Sequence, residues 1–260
     1  MPIFKRNYCF LNYLIMLISF CIPLVSCTTK KEQTQEPIIM MRHDFVIRAT
    51  DYPVQKAFLE YPVYRGPQNK NILERINYHI GPESVLGRTV DELTKDFQDG
   101  LVPFIKARGE IVYFTRSFLQ VQWTIDTMGA YQNTSTSMVL VELENGIPHG
   151  PESMFEDDLA MARFVSDRII PSVEKQLKAV YQQHPEVEPV LTELGIPLPY
   201  GPDDLFNLHV ADNGIYFIYT FKFPHSYASV QPEPVSVFIP WVELKPFTYE
   251  GSILWRIYQN

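Results

Sequence analysis

Hydrophobic and polar positions change period several times along this chain, and each change marks an element. His43–Arg48 and Ala57–Tyr64 interleave β-branched and aromatic residues with polar ones, as strands do, and Pro62 places the second at an edge or a bulge. In Asn71–Ile80, Ile72, Ile76 and Ile80 recur at helical spacing until Gly81-Pro82 stops the run. A second helix is predicted over Val90–Arg108, with Thr89 as its N-cap and Leu93, Phe97, Leu101 and Phe104 as its apolar face. Glu110–Asp126 and Tyr131–Glu144 then read as long β-rich runs, punctuated by Gly129 and Asn145-Gly146. Met154–Tyr181 returns to a helical period through Ile169, Val173, Leu177 and Val180, with Pro171 inside the pattern. A proline-rich connection, His184–Pro202, holds a short helix at Val187–Leu194. Strands follow at Leu205–Val210, Ile215–Phe221, Val235–Ile239 and Ile253–Tyr258, and Asp212-Asn213-Gly214 makes a hairpin turn. Strands, helices, strands, a helix and strands again give an α+β fold, with antiparallel sheets and helices packed on one face.

The first 27 residues follow another pattern. Lys5 and Arg6 precede an apolar run that ends in Leu24-Val25-Ser26-Cys27, which is the layout of an export signal. Small and apolar residues directly before a cysteine resemble the lipobox of bacterial lipoproteins. That resemblance implies cleavage before Cys27 and lipidation of its sulfur, palmitate included. Two or three acyl chains, at about 0.8 kcal/mol per buried CH₂, anchor stably where one is marginal. The competing reading is an uncleaved signal anchor, because Cys9–Val25 supplies about the 17 residues that just span a bilayer. Asn12 and Pro23 interrupt that run. The expected organisation is a signal peptide (1–26), a polar tether (27–42), an N-terminal α+β region (43–150) and a C-terminal α+β region (151–260) packed with it.

Composition narrows the chemistry. The three cysteines are Cys9, Cys21 and Cys27, so a chain cleaved before Cys27 keeps only the one that carries lipid. Its folded part then has no disulfide, thiolate metal site or cysteine nucleophile. The net charge of −8 becomes −10 once Lys5 and Arg6 leave. Such a surface argues against nucleic acid and against direct adhesion to anionic lipid.

No Gly-x-Ser-x-Gly, His-Glu-x-x-His, phosphate-cradling or dinucleotide-binding glycine pattern occurs, and the six histidines lack ligand spacing. No cofactor or metal is expected. The densest carboxylates, Glu156-Asp157-Asp158, suit either acid–base work or the first turn of a helix. Aromatic residues crowd the C-terminal strands. Alternation sends Tyr216 and Ile218 to one face and Phe217, Tyr219 and Phe221 to the other. One face is then either an aromatic platform or a second layer of core. As a platform, its candidate ligand-binding residues are Tyr216, Tyr219, Phe221, Tyr227 and Trp241.

One family resemblance runs through most of the chain. Phe206-Asn207-Leu208, Gly214-Ile215-Tyr216-Phe217-Ile218-Tyr219, Tyr227-Ala228 and Val237-Phe238-Ile239-Pro240-Trp241 resemble, in order, the C-terminal domain of the PdaC/RsiV-like family. Tyr61-Pro62 with Ile76-Asn77, and Gly129-Ala130 before Glu144-Asn145-Gly146, resemble its N-terminal half. Two positions depart from it: Tyr131 stands where the family has His, and Lys222 where it has an acidic residue. The resemblance implies a non-catalytic domain of exported proteins, found beside deacetylase domains or in sensors that bind lysozyme. Function is therefore expected to be binding or sensing of a lysozyme-like protein or cell-wall glycan. The place expected is the envelope, lipid-anchored and facing the periplasm, at the outer membrane if the cell has one. The alternative is a hydrolase of envelope polysaccharide working through a carboxylate pair.

Overall fold

The computed structural model describes residues 37–47, 56–128 and 132–259. The chain opens with two strands, β1 (Ile38–Val46) and β2 (Lys56–Tyr64). Three helices follow: α1 (Lys70–Ile80), α2 (Pro82–Leu86) and α3 (Val90–Gln98). Next come β3 (Lys106–Phe114), β4 (Phe118–Met128), β5 (Gln132–Glu142), the two-residue β6 (Pro148–His149) and the long helix α4 (Asp158–Gln183). The last third holds α5 (Val187–Glu193), β7 (Leu208–Ala211), β8 (Gly214–Tyr219), β9 (Val235–Pro240), α6 (Trp241–Leu244) and α7 (Ile253–Gln259). Strands β1 to β6 form one sheet in chain order, and β7, β8 and β9 a second. The fold is α+β.

Within the six-stranded sheet every pair is antiparallel except β2–β3, because the chain crosses over through α1–α3 before it returns. That parallel pairing covers only Phe58–Glu60 against Lys106–Arg108. Pro62 lies just beyond it, where its missing N–H has no ladder to serve. Asn77, on α1, fills the place further along: its Oδ1 accepts from the Tyr64 N–H (2.7 Å) and its Nδ2 donates to the Tyr64 carbonyl (2.9 Å).

Alternation along the strands sorts the core into two layers. Leu59, Ala107, Val121, Trp123 and Val141 face α1 and α3, where Ile76, Ile80, Leu93 and Phe97 complete one cluster. Trp123 Nε1 donates to the Ile80 carbonyl (3.1 Å) and ties sheet to helix. On the opposite face, Phe118 and Leu140 join the cluster built by α4 and the second sheet. Gln120 lies on that same face. Its Nε2 donates to the Leu208 carbonyl (2.8 Å) and its Oε1 accepts from the Val210 N–H (2.9 Å), so one side chain stands in for a strand along β7.

Several elements differ from their sequence reading. The α3 helix stops at Gln98, not Arg108: Gly100 turns the chain at a φ of 84°, Phe104 reaches the core from the following loop, and Lys106–Arg108 belong to β3. Ile38–Arg42, read as tether, are already strand. The run Glu110–Asp126 is two strands. Its turn carries no glycine or proline and is made by Thr115 Oγ1, which accepts from the Ser117 and Phe118 N–H groups (3.3 and 3.1 Å). Ile253–Tyr258 is a helix: Ser252 Oγ accepts from the Trp255 N–H (3.2 Å), and Ile253, Leu254 and Ile257 bury one side. Pro171 lies inside α4 without ending it. No helix among the described residues is long and apolar enough to cross a membrane.

Candidate functional site

The outward face of the second sheet is built by a tight hairpin. Asp212-Asn213 is the two-residue loop between β7 and β8, so Ala211 pairs with Gly214 and His209 with Tyr216. On the other side β9 sets Phe238 opposite Tyr216. The pleat buries Ile215, Phe217 and Tyr219 and sends His209, Tyr216 and Phe238 outward. The three rings form a ladder across the three strands: His209 to Tyr216 is 5.8 Å and Tyr216 to Phe238 is 4.9 Å between centroids. Gly214 makes room beside it, since a Cβ there would stand 2.8 Å from Phe238 Cζ. His209 is fixed by a 3.0 Å hydrogen bond from Nε2 to the Val112 carbonyl. Tyr216 and Phe238 each remain 39% exposed.

Of the five aromatic candidates, only Tyr216 lies on this ladder. Tyr219 is 4% exposed, its hydroxyl donates to the Leu198 carbonyl (3.1 Å), and its ring meets Phe221 edge-on at 5.2 Å. Phe221 is equally buried. Both are core residues and are withdrawn as ligand contacts, because β8 turns them to the α4 side. Tyr227 is half-buried in a 3-10 turn (His225–Val230), packed on the same core. Trp241 is half-buried at the start of α6, with Nε1 donating to the Asp212 carbonyl at the hairpin loop (2.8 Å). Beyond it Tyr258 stands 6.4 Å from both Trp241 and Trp255, and Lys245 Nζ lies 6.0 Å over the Trp255 ring. His209 and Phe238 are the contacts that reading by residue type overlooked. Counting across the Asp212-Asn213 loop finds His209, whereas Phe238 follows only from the β8–β9 register, which no short turn sets. Cys27, like Gly129-Ala130-Tyr131, lies outside the described residues.

A charged cluster sits where β5, β6 and α7 meet. Glu142 is buried, is paired with Arg256 of α7, and accepts from Asn145 Nδ2 (2.8 Å). Burial opposes its charge, yet the hydrogen bonds from Arg256 and Asn145 prevail and hold its carboxyl below the usual range. His149 Nε2 lies 3.5 Å from Glu142, but burial outweighs that carboxylate and pushes the imidazole down. His149 is therefore neutral near pH 7, and the counter-ion of Glu142 is Arg256. A 3.2 Å contact from His149 Nδ1 to Ser153 Oγ completes the cluster.

The acidic run before α4 divides. Asp157 is its N-cap, accepting from the Ala160 N–H (2.9 Å). Asp158 is different: burial first, then Glu152 and Asp157, hold its carboxyl above the ordinary range, and its Oδ1 is buried without a hydrogen-bond partner. No group of three His, Cys, Asp or Glu among the described residues stands close enough to hold a metal.

Two solved structures are similar to this chain in fold. A DUF3298 family member from Bacteroides fragilis superposes with a TM-score of 0.53 at 14% identity, over 86% of this chain and 96% of its own. A DUF3298 family protein from Pseudomonas aeruginosa gives 0.50 at 12% identity, over 83% and 95%. The fold is that of DUF3298 proteins. No protein-family model and no curated protein sequence matches the chain.

Proposed function

We propose that this protein is a non-catalytic binding module of the bacterial envelope. In this reading Cys27 anchors it by lipid, and the aromatic face of its second sheet binds cell-wall glycan. The observation that carries it is the His209–Tyr216–Phe238 ladder, three rings held across three strands with Tyr216 and Phe238 each 39% exposed. Pyranose rings stack their C–H faces on such side chains, and hydroxyls of Tyr216 and the sugar exchange hydrogen bonds. The PdaC/RsiV-like order of motifs accords with a binding role, and the lipobox-like Leu24–Cys27 with an envelope address.

The test is co-sedimentation of the full chain with purified peptidoglycan, beside a pull-down on immobilised lysozyme. Retention by peptidoglycan that the double change Tyr216→Ala, Phe238→Ala abolishes supports the reading. Retention by lysozyme alone moves the partner to a basic protein, and retention by neither overturns the assignment. Fractionation tests the anchor: Cys27→Ser should move the protein out of the membrane fraction, and an unchanged distribution would remove lipid as the tether.

A second reading has one observation in its favour. Asp158, whose carboxyl is held above the ordinary range by burial and by Glu152 and Asp157 and whose Oδ1 is buried without a partner, has the kind of environment in which a polysaccharide hydrolase keeps its general acid. New reducing ends released from peptidoglycan by the wild type, and not by Asp158→Asn, would establish it.

A further inference from the structure

We propose that β1 is a self-association edge, at which two copies of this chain pair antiparallel around His43. Elsewhere, strand stretches without a neighbour are met by side chains: Gln120 hydrogen-bonds along β7 and Asn77 caps the end of β2, while the outer side of β5 before Leu140 is open but lined by the uncharged polar residues Asn133–Ser137. No described side chain takes that place along β1. It is nine residues long, above the usual five or six, and contains no proline, lysine or bulge to blunt it.

Register dictates the partner. Arg65 N donates to the Pro37 carbonyl, so the odd residues of β1 turn their backbone groups toward β2. Phe58 N, in turn, donates to Ile105 on the β3 side, as that phase requires. The even residues, Met40, Arg42, Asp44 and Val46, therefore present N–H and C=O to the open side. A two-fold axis at His43 pairs even with even: Arg42 faces Asp44 of the other copy, Asp44 faces its Arg42, and Met40 faces Val46. Charges meet opposite charges, and two exposed apolar side chains (46% and 66%) cover each other. Shifting the axis by one residue in either direction sets Arg42 or Asp44 against itself and loses the ion pairs. On the other face His43, whose Nε2 is buried without a partner, meets His43 of the second copy across the axis. Arg42 and Asp44 already pair along one strand at 2.9 Å, with both side chains more than half exposed to receive the second pair. A second copy of this chain thus answers the edge in hydrogen bonds, charge and shape at a single register.

The experiment is sedimentation of the full chain in density-matched detergent from about 1 to 100 μM, with circular dichroism as the check on folding. The wild type should form a concentration-dependent dimer. Arg42→Asp and Asp44→Arg each place like charges opposite, and should weaken dimerisation by roughly tenfold or more. The double exchange Arg42→Asp, Asp44→Arg reverses both partners and should restore it, and an equimolar mixture of the two single variants should form a heterodimer, which a charge pair internal to one strand does not predict. A wild type that stays monomeric throughout, or a dimer indifferent to either reversal, overturns the proposal. This result is independent of glycan binding, which uses the other sheet.

Discussion

Replacing Gln120 with Leu tests how the two sheets are joined. The side chain is 1% exposed and its amide makes both backbone hydrogen bonds that a neighbouring strand would otherwise make with Leu208 and Val210. Leu fills nearly the same volume, so the cavity contribution is small and the change isolates the polar one. Two net hydrogen bonds at about 1 kcal/mol each are lost, and a buried carbonyl and N–H are left unpaired at about 1–3 kcal/mol apiece. Because those costs overlap, the expected loss is about 3 kcal/mol. Urea unfolding followed by tryptophan fluorescence reads it, since Trp123 lies three residues along the same strand. With a slope near the upper end of about 1–3 kcal/mol/M, the midpoint should fall by roughly 1 M. Gln122→Leu, on the same face but less buried, serves as control and should move stability by no more than about 0.5 kcal/mol. A Gln120→Leu loss no larger than that of the control would refute the claim that this amide holds β7.

Acid should destabilise the fold in two stages. The folded pKa of His149 lies below its unfolded value of 6.5, and that of Glu142 below 4.5. Each contribution is therefore complete above the unfolded value and lost as pH falls through the lower folded one. Thermal midpoints should drop first below pH 6.5 and again below 4.5, and His149→Gln should erase the upper step; midpoints that rise on acidification would contradict this. Asn77→Leu removes both bonds to Tyr64 and should cost about 2–3 kcal/mol by the same urea assay, with an unchanged midpoint counting against the clamp. Tyr219→Phe deletes one buried hydrogen bond and should cost about 1 kcal/mol while leaving peptidoglycan retention intact. If Tyr219→Phe instead abolished retention at full stability, the placement of Tyr219 in the core would be wrong.

What could be read before any coordinates were seen was what local pattern carries. The helical spacing of Ile72, Ile76 and Ile80 and the loop at Asp212-Asn213 fold as written, because capping, turn chemistry and burial agree there. Errors cluster where tertiary contacts decide. Leu101 and Phe104 continue the apolar spacing of α3, yet a left-handed glycine between Phe97 and Leu101 ends the helix, and Leu101 faces solvent. The β-prone Ile253–Tyr258 became a helix under a serine cap and a buried Ile253–Ile257 stripe. For the aromatic candidates, alternation separated Tyr216 from Tyr219 correctly, but periodicity does not say which face the core will claim. That depends on α4 reaching the sheet from one side.

The pairing of Glu142 with Arg256 has a consequence for how the chain is made. The two residues are 114 positions apart, and α7 follows every other described element. In a chain that emerges or is threaded N-terminus first, Glu142 has no counter-ion until that last helix arrives. Closing the sheet earlier would bury a bare carboxylate, at a penalty of several kcal/mol. Burial of Glu142 and docking of α7 are thereby coupled, since the carboxylate goes under cover together with the cation that pairs it.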